Sequence, residues 1–228
     1  MLPFLVLLGL ITGNGLSWCV ARQSCINEQP IPLPRQARDW LPLVGALWSH
    51  NWFALTIELL TALTTVLLFV RHGSSTHFAL LWLGALVLID TGAVDWQVKL
   101  IDVLLLLSAA AVAVASAPWR ALRWDRSLEG LATALVLFLL FFVMAKLLYP
   151  GQAAPFGLGD VYLGMFIGAL VGFFDLPGPL FYGMTLAALA SLAMIVTLGY
   201  QRARHMPISY GTYLCLGTLI YITVGPYR

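Results

Sequence analysis

The sequence predicts an all-α fold, a polytopic bundle of about eight transmembrane helices forming a single membrane-embedded domain over residues 1–228, and three observations predict it. Hydrophobic residues make up 61% of the chain and charged residues only 10%, where an ordinary soluble domain carries about a quarter. The apolar stretches run about 17–22 residues each, the length at which an α-helix crosses the hydrocarbon core of a bilayer. They do not alternate polar with apolar, so the backbone must satisfy its hydrogen bonds within each segment, as a helix does and a β-barrel strand does not.

The spans are expected at about 2–20, 52–70, 77–95, 100–117, 130–149, 161–175, 179–200 and 208–225. The first reads as a permanent span: it lacks a basic leading region, no A-x-A site follows, and Leu16-Ser17-Trp18-Cys19 lacks the small residue a lipoprotein site needs before its cysteine. The second carries Glu58 in IELLTAL, and the third closes on Asp90 in LLWLGALVLIDTG. Asp102 stands one turn into the fourth, three residues after Lys99 and able to pair with it. The fifth follows PWRALRWDRSLEG, whose arginines are expected to face outward, and the sixth opens on Asp160 in GLGDVYLGMF.

The longest polar connection, residues 21–51, contains RQSCINEQPIPLPRQARDW, where three prolines in five residues exclude a regular helix. With the N-terminus outside, inner loops collect Arg22, Arg35, Arg38, Lys99, Lys146, Arg202 and Arg204, against five arginines outside, and this bias sets the orientation. A net charge of +2 with scattered basic residues excludes a nucleic-acid partner. Cys19, Cys25 and Cys215 form no CxxC pair, and the four histidines show no HxxH or HExxH spacing, so no metal site is expected. His72 and His77 flank a short loop and are expected to be solvated.

A carboxylate within a span costs about 2.5–3.5 kcal/mol on insertion scales, so Glu58, Asp90, Asp102 and Asp160 are candidate functional groups. Two crossings separate Asp90 from Asp160, which returns both to one face of the membrane. Two carboxyls sharing a site hold one proton between them, one acting as base towards water and the other as acid towards a carbonyl; that is aspartic peptidase chemistry. Gly157 and Gly159 would clear space for a peptide backbone and permit φ values closed to other residues. Asp95, expected in the aqueous loop beside Trp96, and Asp102 are the residues that could stand in for Asp90. Glu58 is expected to bond another helix or line a polar cavity. The competing class is a proton- or cation-coupled transporter using the same buried carboxylates.

These segments resemble a family, the bacterial type IV prepilin leader peptidases, related to the archaeal preflagellin peptidases, which are intramembrane aspartic enzymes of GxGD type. GLITGNGLSWCVAR is similar to the family's first-span motif, RDWLPLVGALWS to its loop-to-helix segment, and IELLTAL to the opening of its second span. LVLIDTGAVDW and FGLGDVYLGMFIGALVGF resemble its two aspartate segments, and MPISYGTYLCLGTLI its closing helix. The resemblance implies an endopeptidase of the inner (cytoplasmic) membrane that removes the basic leader of prepilin or pseudopilin precursors at the cytoplasmic face. Asp90 and Asp160 would be catalytic, with Gly157, Gly159 and Glu58 in the substrate groove. No cofactor is implied beyond S-adenosylmethionine, and that only if the methyltransferase activity of many members is retained. The short loop 21–51, with Cys25 alone, stands in place of the family's zinc-binding loop, and WQVKLID replaces its usual Ile-Pro-Asp or Ile-Pro-Asn.

Overall fold

The computed structural model describes residues 2–26, 41–48, 50–120, 122–148, 157–203 and 208–226, and no strand occurs among them. Helices α1 (Leu2–Ile26), α3 (Trp52–His72), α4 (Thr76–Val98), α6 (Trp124–Leu148) and α8 (Pro177–Leu198) are long and apolar enough to cross a bilayer. Helices α5 (Val103–Ala115), α7 (Leu158–Val171) and α10 (Tyr210–Thr223) have 13, 14 and 14 residues. Short helices α2 (Val44–Trp48) and α9 (Tyr200–Ala203) complete the order. A helix thus stands at each of the eight expected positions, but only five of the described helices have membrane-crossing length.

Local chemistry explains the shorter ones. Asp102 is not inside a span: it caps α5, its Oδ1 accepting the N–H groups of Leu104 and Leu105 at 3.0 and 3.2 Å, so the helix starts after it and Asp102 is turned away from the expected Lys99 pairing. Lys99, in the left-handed region at φ 56, closes α4. Gly172, at φ 83, stops α7 where a side chain would be strained. At the other extreme, α1 runs six residues past its expected end near residue 20, and α2 lies within the connection expected to be irregular over 21–51. The three prolines, Glu28, Arg35, Arg38, Asp39, Phe156 and Arg204 lie outside the described residues.

Helices associate where glycine lets backbones approach, the usual device where lipid removes the hydrophobic drive between helices. A Cβ on Gly13 of α1 would come within 2.7 Å of Glu58 Cα on α3. On the antiparallel pair α6/α7, Gly168 meets the Gly130 backbone and Ala134, and a Cβ on Gly164 would stand 2.7 Å from the Phe138 ring. Gly183 and Leu214 make the same kind of contact between α8 and α10. Helix α4 lies in the middle, touching α1, α3, α5 and α10, with Leu81, Ala85 and Leu88 fully buried. Apolar side chains such as Leu128, Val136, Leu140 and Leu147 of α6 point outward, as lipid-facing residues do.

Arg120 corrects the expectation of an outward arginine. It is 1% exposed, in a 3₁₀ turn (Ala117–Arg120) after α5. Its guanidinium donates to the carbonyls of Ala113, Ala169 and Leu170, which belong to the last turns of α5 and α7 and have no intrahelical donor of their own. A cation there also faces the negative ends of two helix dipoles. Ser127 of α6 donates to the same Ala169 carbonyl at 2.8 Å, so one residue cluster ties three helices at the end of the bundle opposite the α7 N-terminus. Replacing Arg120 by Leu strands three buried carbonyls and should cost about 3 kcal/mol. Detergent-solubilised Arg120→Leu should lose its folded, monodisperse fraction at a lower temperature than the parent, and an unchanged melting profile would contradict the role given to the guanidinium.

Candidate active site

Three elements meet at the other end of the bundle: the last turns of α4, the first turn of α7, and the first turn of α10. They bring Asp90 and Asp95, Asp160, and Tyr210 to Thr212 into one cluster. The three aspartates are 6%, 6% and 8% exposed. Cys215, buried in α10, lies within electrostatic reach of all of them. Helix α4 packs tightly against α10 here, with a Cβ on Gly92 only 3.1 Å from Cys215 Cβ.

Asp95 does not sit in an aqueous loop. Helix α4 runs on through Thr91, Gly92, Ala93 and Val94, where the sequence offers no stop signal, and carries Asp95 against α10. The Thr212 backbone N–H donates to Asp95 Oδ2 at 2.8 Å; the Thr212 hydroxyl oxygen lies 3.0 Å from that carboxyl oxygen and 2.9 Å from the carbonyl of Gly92. Nothing in the sequence marks Thr212 as a partner, because it is 117 residues from Asp95 and has no charge.

Asp160 is the third residue of α7, and its Oδ2 accepts the N–H of Gly157, the residue that caps the helix, at 3.0 Å. This satisfies one of the orphan donors at a helix start and sets the carboxylate in the favourable field of the N-terminus. The acid that acts electrostatically on Asp160 is Asp95. Ile101, in the extended link between α4 and α5, wedges between the two acid-bearing turns: a Cβ on Gly159 would meet Ile101 Cβ at 2.8 Å, and one on Gly211 would meet Ile101 Cδ1 at 3.2 Å and Asp95 Oδ2 at 3.0 Å. Gly157, at φ −97, and Gly159, inside the helix, use no backbone conformation reserved for glycine. Space for Ile101, not a special φ, is the reason for Gly159.

Asp90 lies deeper. Its carboxylate accepts a side-chain hydrogen bond from Gln23 of α1, and the acid acting on it is Asp102. Its Oδ1 is buried and accepts nothing among the described residues. The sequence pairing of Asp90 with Asp160 thus gathers at the right end of the bundle, but the carboxyl facing Asp160 belongs to Asp95. Glu58, 1% exposed, turns to the loop before α2 and accepts the N–H of Leu43 at 2.6 Å, holding that residue at φ 62. It bonds a connecting segment and not another helix. His72 and His77 are half-buried and stacked with ring centroids 4.5 Å apart, not solvated as expected. Among the described residues no three His, Cys, Asp or Glu side chains converge on a metal-sized site.

Comparison of the chain with family models, with characterised proteins and with solved structures finds no match.

The wedge has a direct test. Gly159→Ala should destabilise the protein by about 1–3 kcal/mol through overpacking against Ile101, and adding Ile101→Ala should recover most of that loss. Thermal unfolding of the single and double variants in one detergent would read the coupling; additive effects would mean that the two residues do not touch.

Proposed function

We propose that the protein is an intramembrane aspartic endopeptidase of the prepilin-processing class, with Asp95 and Asp160 as its acid pair. The observation that carries this reading is the meeting of two buried carboxyls, Asp95 from the end of α4 and Asp160 from the start of α7, on either side of Ile101. The reading takes all eight main helices as crossing the inner membrane, with the N-terminus outside and the aspartate end at the cytoplasmic face. A precursor with a basic leader and an apolar helix would then rest its helix in lipid and its scissile bond at the depth of the pair. Glycines 157 and 159 remove side chains beside Asp160, and displacement of the short link bearing Ile101 would let an extended peptide reach both acids.

The chemistry balances on one shared proton. The ionised carboxylate takes a proton from water as the water oxygen bonds to the peptide carbonyl carbon. The protonated carboxyl gives its proton to the carbonyl oxygen, which yields a gem-diol. The amide nitrogen then accepts a proton from the first carboxyl while the C–N bond breaks, and a diol hydroxyl returns a proton to the second. Water is consumed, two chain ends are released, and the pair recovers its starting charge.

One observation favours a second reading. Asp90, a little over a turn further into the bilayer than Asp95, has a buried oxygen without a partner among the described residues, as a proton- or cation-conducting site has. With Asp102 acting on it and Glu58 also buried, a coupled transporter would run through these acids.

Asp95→Asn and Asp160→Asn should each lower precursor processing by at least about a thousandfold, whereas Asp90→Asn should keep it within about tenfold of the parent. Co-expression with a pilin-like precursor, followed by mass spectrometry of the new N-terminus, reads cleavage position and any added methyl group together. Normal processing by both Asp95→Asn and Asp160→Asn would overturn the proposal. Acid-dependent ion flux in proteoliposomes with no cleavage would favour the transporter.

A further inference from the structure

The hydrogen bonds around the two acids are not equivalent. Asp160 Oδ2 is held by the Gly157 N–H, a group that can only donate and therefore suits an ionised oxygen. Asp95 Oδ2 is held by the Thr212 N–H and also touches the Thr212 hydroxyl, a group that can donate one hydrogen and accept another. That hydroxyl lies at hydrogen-bond distance from the Gly92 carbonyl as well, and a carbonyl only accepts. A single hydroxyl hydrogen cannot make two good bonds in two directions. Both contacts are satisfied together when the Thr212 hydrogen points at Gly92 and the carboxyl supplies the hydrogen between Oδ2 and Thr212 Oγ1.

We propose that Thr212 is a positioning residue for the acid pair, its hydroxyl relaying from Asp95 to the Gly92 carbonyl so that the resting proton sits on Asp95 and Asp160 is the ionised member. The inference rests on the pairing of Asp95 with Asp160 put forward for the peptidase and assigns the roles within it: Asp160 takes the proton from water and Asp95 protonates the carbonyl oxygen. When Asp95 gives up its proton, Thr212 keeps its own hydrogen and turns it from Gly92 to Oδ2. The carboxylate then has two donors, from the backbone and the hydroxyl of one residue, so both charge states of Asp95 are satisfied without movement of the helices. Lys99, one turn further along α4, also acts on Asp95 and favours its ionised form. It is exposed, and solvent screens it, while the hydroxyl contact is buried.

The test is infrared spectroscopy of the purified full-length protein in lipid nanodiscs at neutral pH, reading the C=O stretch of protonated carboxylic acids. A band removed by Asp95→Asn identifies the proton on Asp95. That band should stay in place in Thr212→Ser, which keeps the hydroxyl, and move to higher frequency in Thr212→Val and Thr212→Ala, which remove its hydrogen-bond partner. Having both the bulky and the small variant keeps the test open if one of them folds poorly. Precursor processing should fall about tenfold in the variants lacking the hydroxyl and stay near the parent rate in Thr212→Ser. A band indifferent to all three Thr212 changes, or no acid band lost in Asp95→Asn, overturns the assignment even if the protein cleaves its precursor. A shifted band with no cleavage of any precursor sustains the assignment and sinks the peptidase reading instead.

Discussion

Burying carboxyls in a bundle surrounded by lipid is the constraint on which the rest of the molecule depends. A lone carboxylate there costs several kcal/mol, and the cost is tolerable only where donors, helix termini or a shared proton offset it. Each acid at the aspartate end has such compensation of a different kind. Asp160 has a helix N-terminus and the Gly157 N–H, Asp95 has the backbone and hydroxyl of Thr212, and Asp90 has Gln23. Those partners come from α7, α10 and α1, so holding the acids fixes which helices converge at this end.

The opposite end is governed by the same physics with the sign reversed. There the orphan groups are carbonyls at the ends of α5 and α7, and the compensating group is the Arg120 guanidinium. Helices α5 and α7 therefore run in parallel, their N-terminal turns beside the acids and their C-terminal turns on the arginine. Between the two ends the packing relies on glycine and small residues, which allow α6 to approach α7 closely enough for backbones to touch near Gly130 and Gly168. An acid pair positioned this way is held by backbone at both ends of the helices that bear it, which is what precise placement of two carboxyls demands.

Much of this was legible in the sequence. Helix positions followed from apolar runs, because membrane insertion is a matter of local composition, and Asp160 was marked by the glycines and the span it opens. Asp95 was misjudged because LVLIDTGAVDW gives no helix stop at Asp90: small residues continue the helix for two more turns, to the left-handed Lys99. Asp102 looked like a span residue because LIDVLLLL is apolar on both sides, yet its short side chain serves best as a cap. Thr212 and Arg120 were invisible for a different reason. Their roles depend on helices that are 117 and 50 residues away in the chain, and no local pattern encodes such contacts.

The claim that Asp160 faces Asp95 is the one most directly open to measurement. In a chain whose Cys19, Cys25 and Cys215 are replaced by Ser or Ala, cysteines placed at 95 and 160, or at 90 and 160, can be treated with a short bifunctional thiol reagent in native membranes and the intramolecular link quantified by mass spectrometry. The geometry of α4 and α7 predicts efficient linkage of 95 to 160 and little of 90 to 160. Preferential linkage of 90 to 160, or linkage of neither pair, would contradict it.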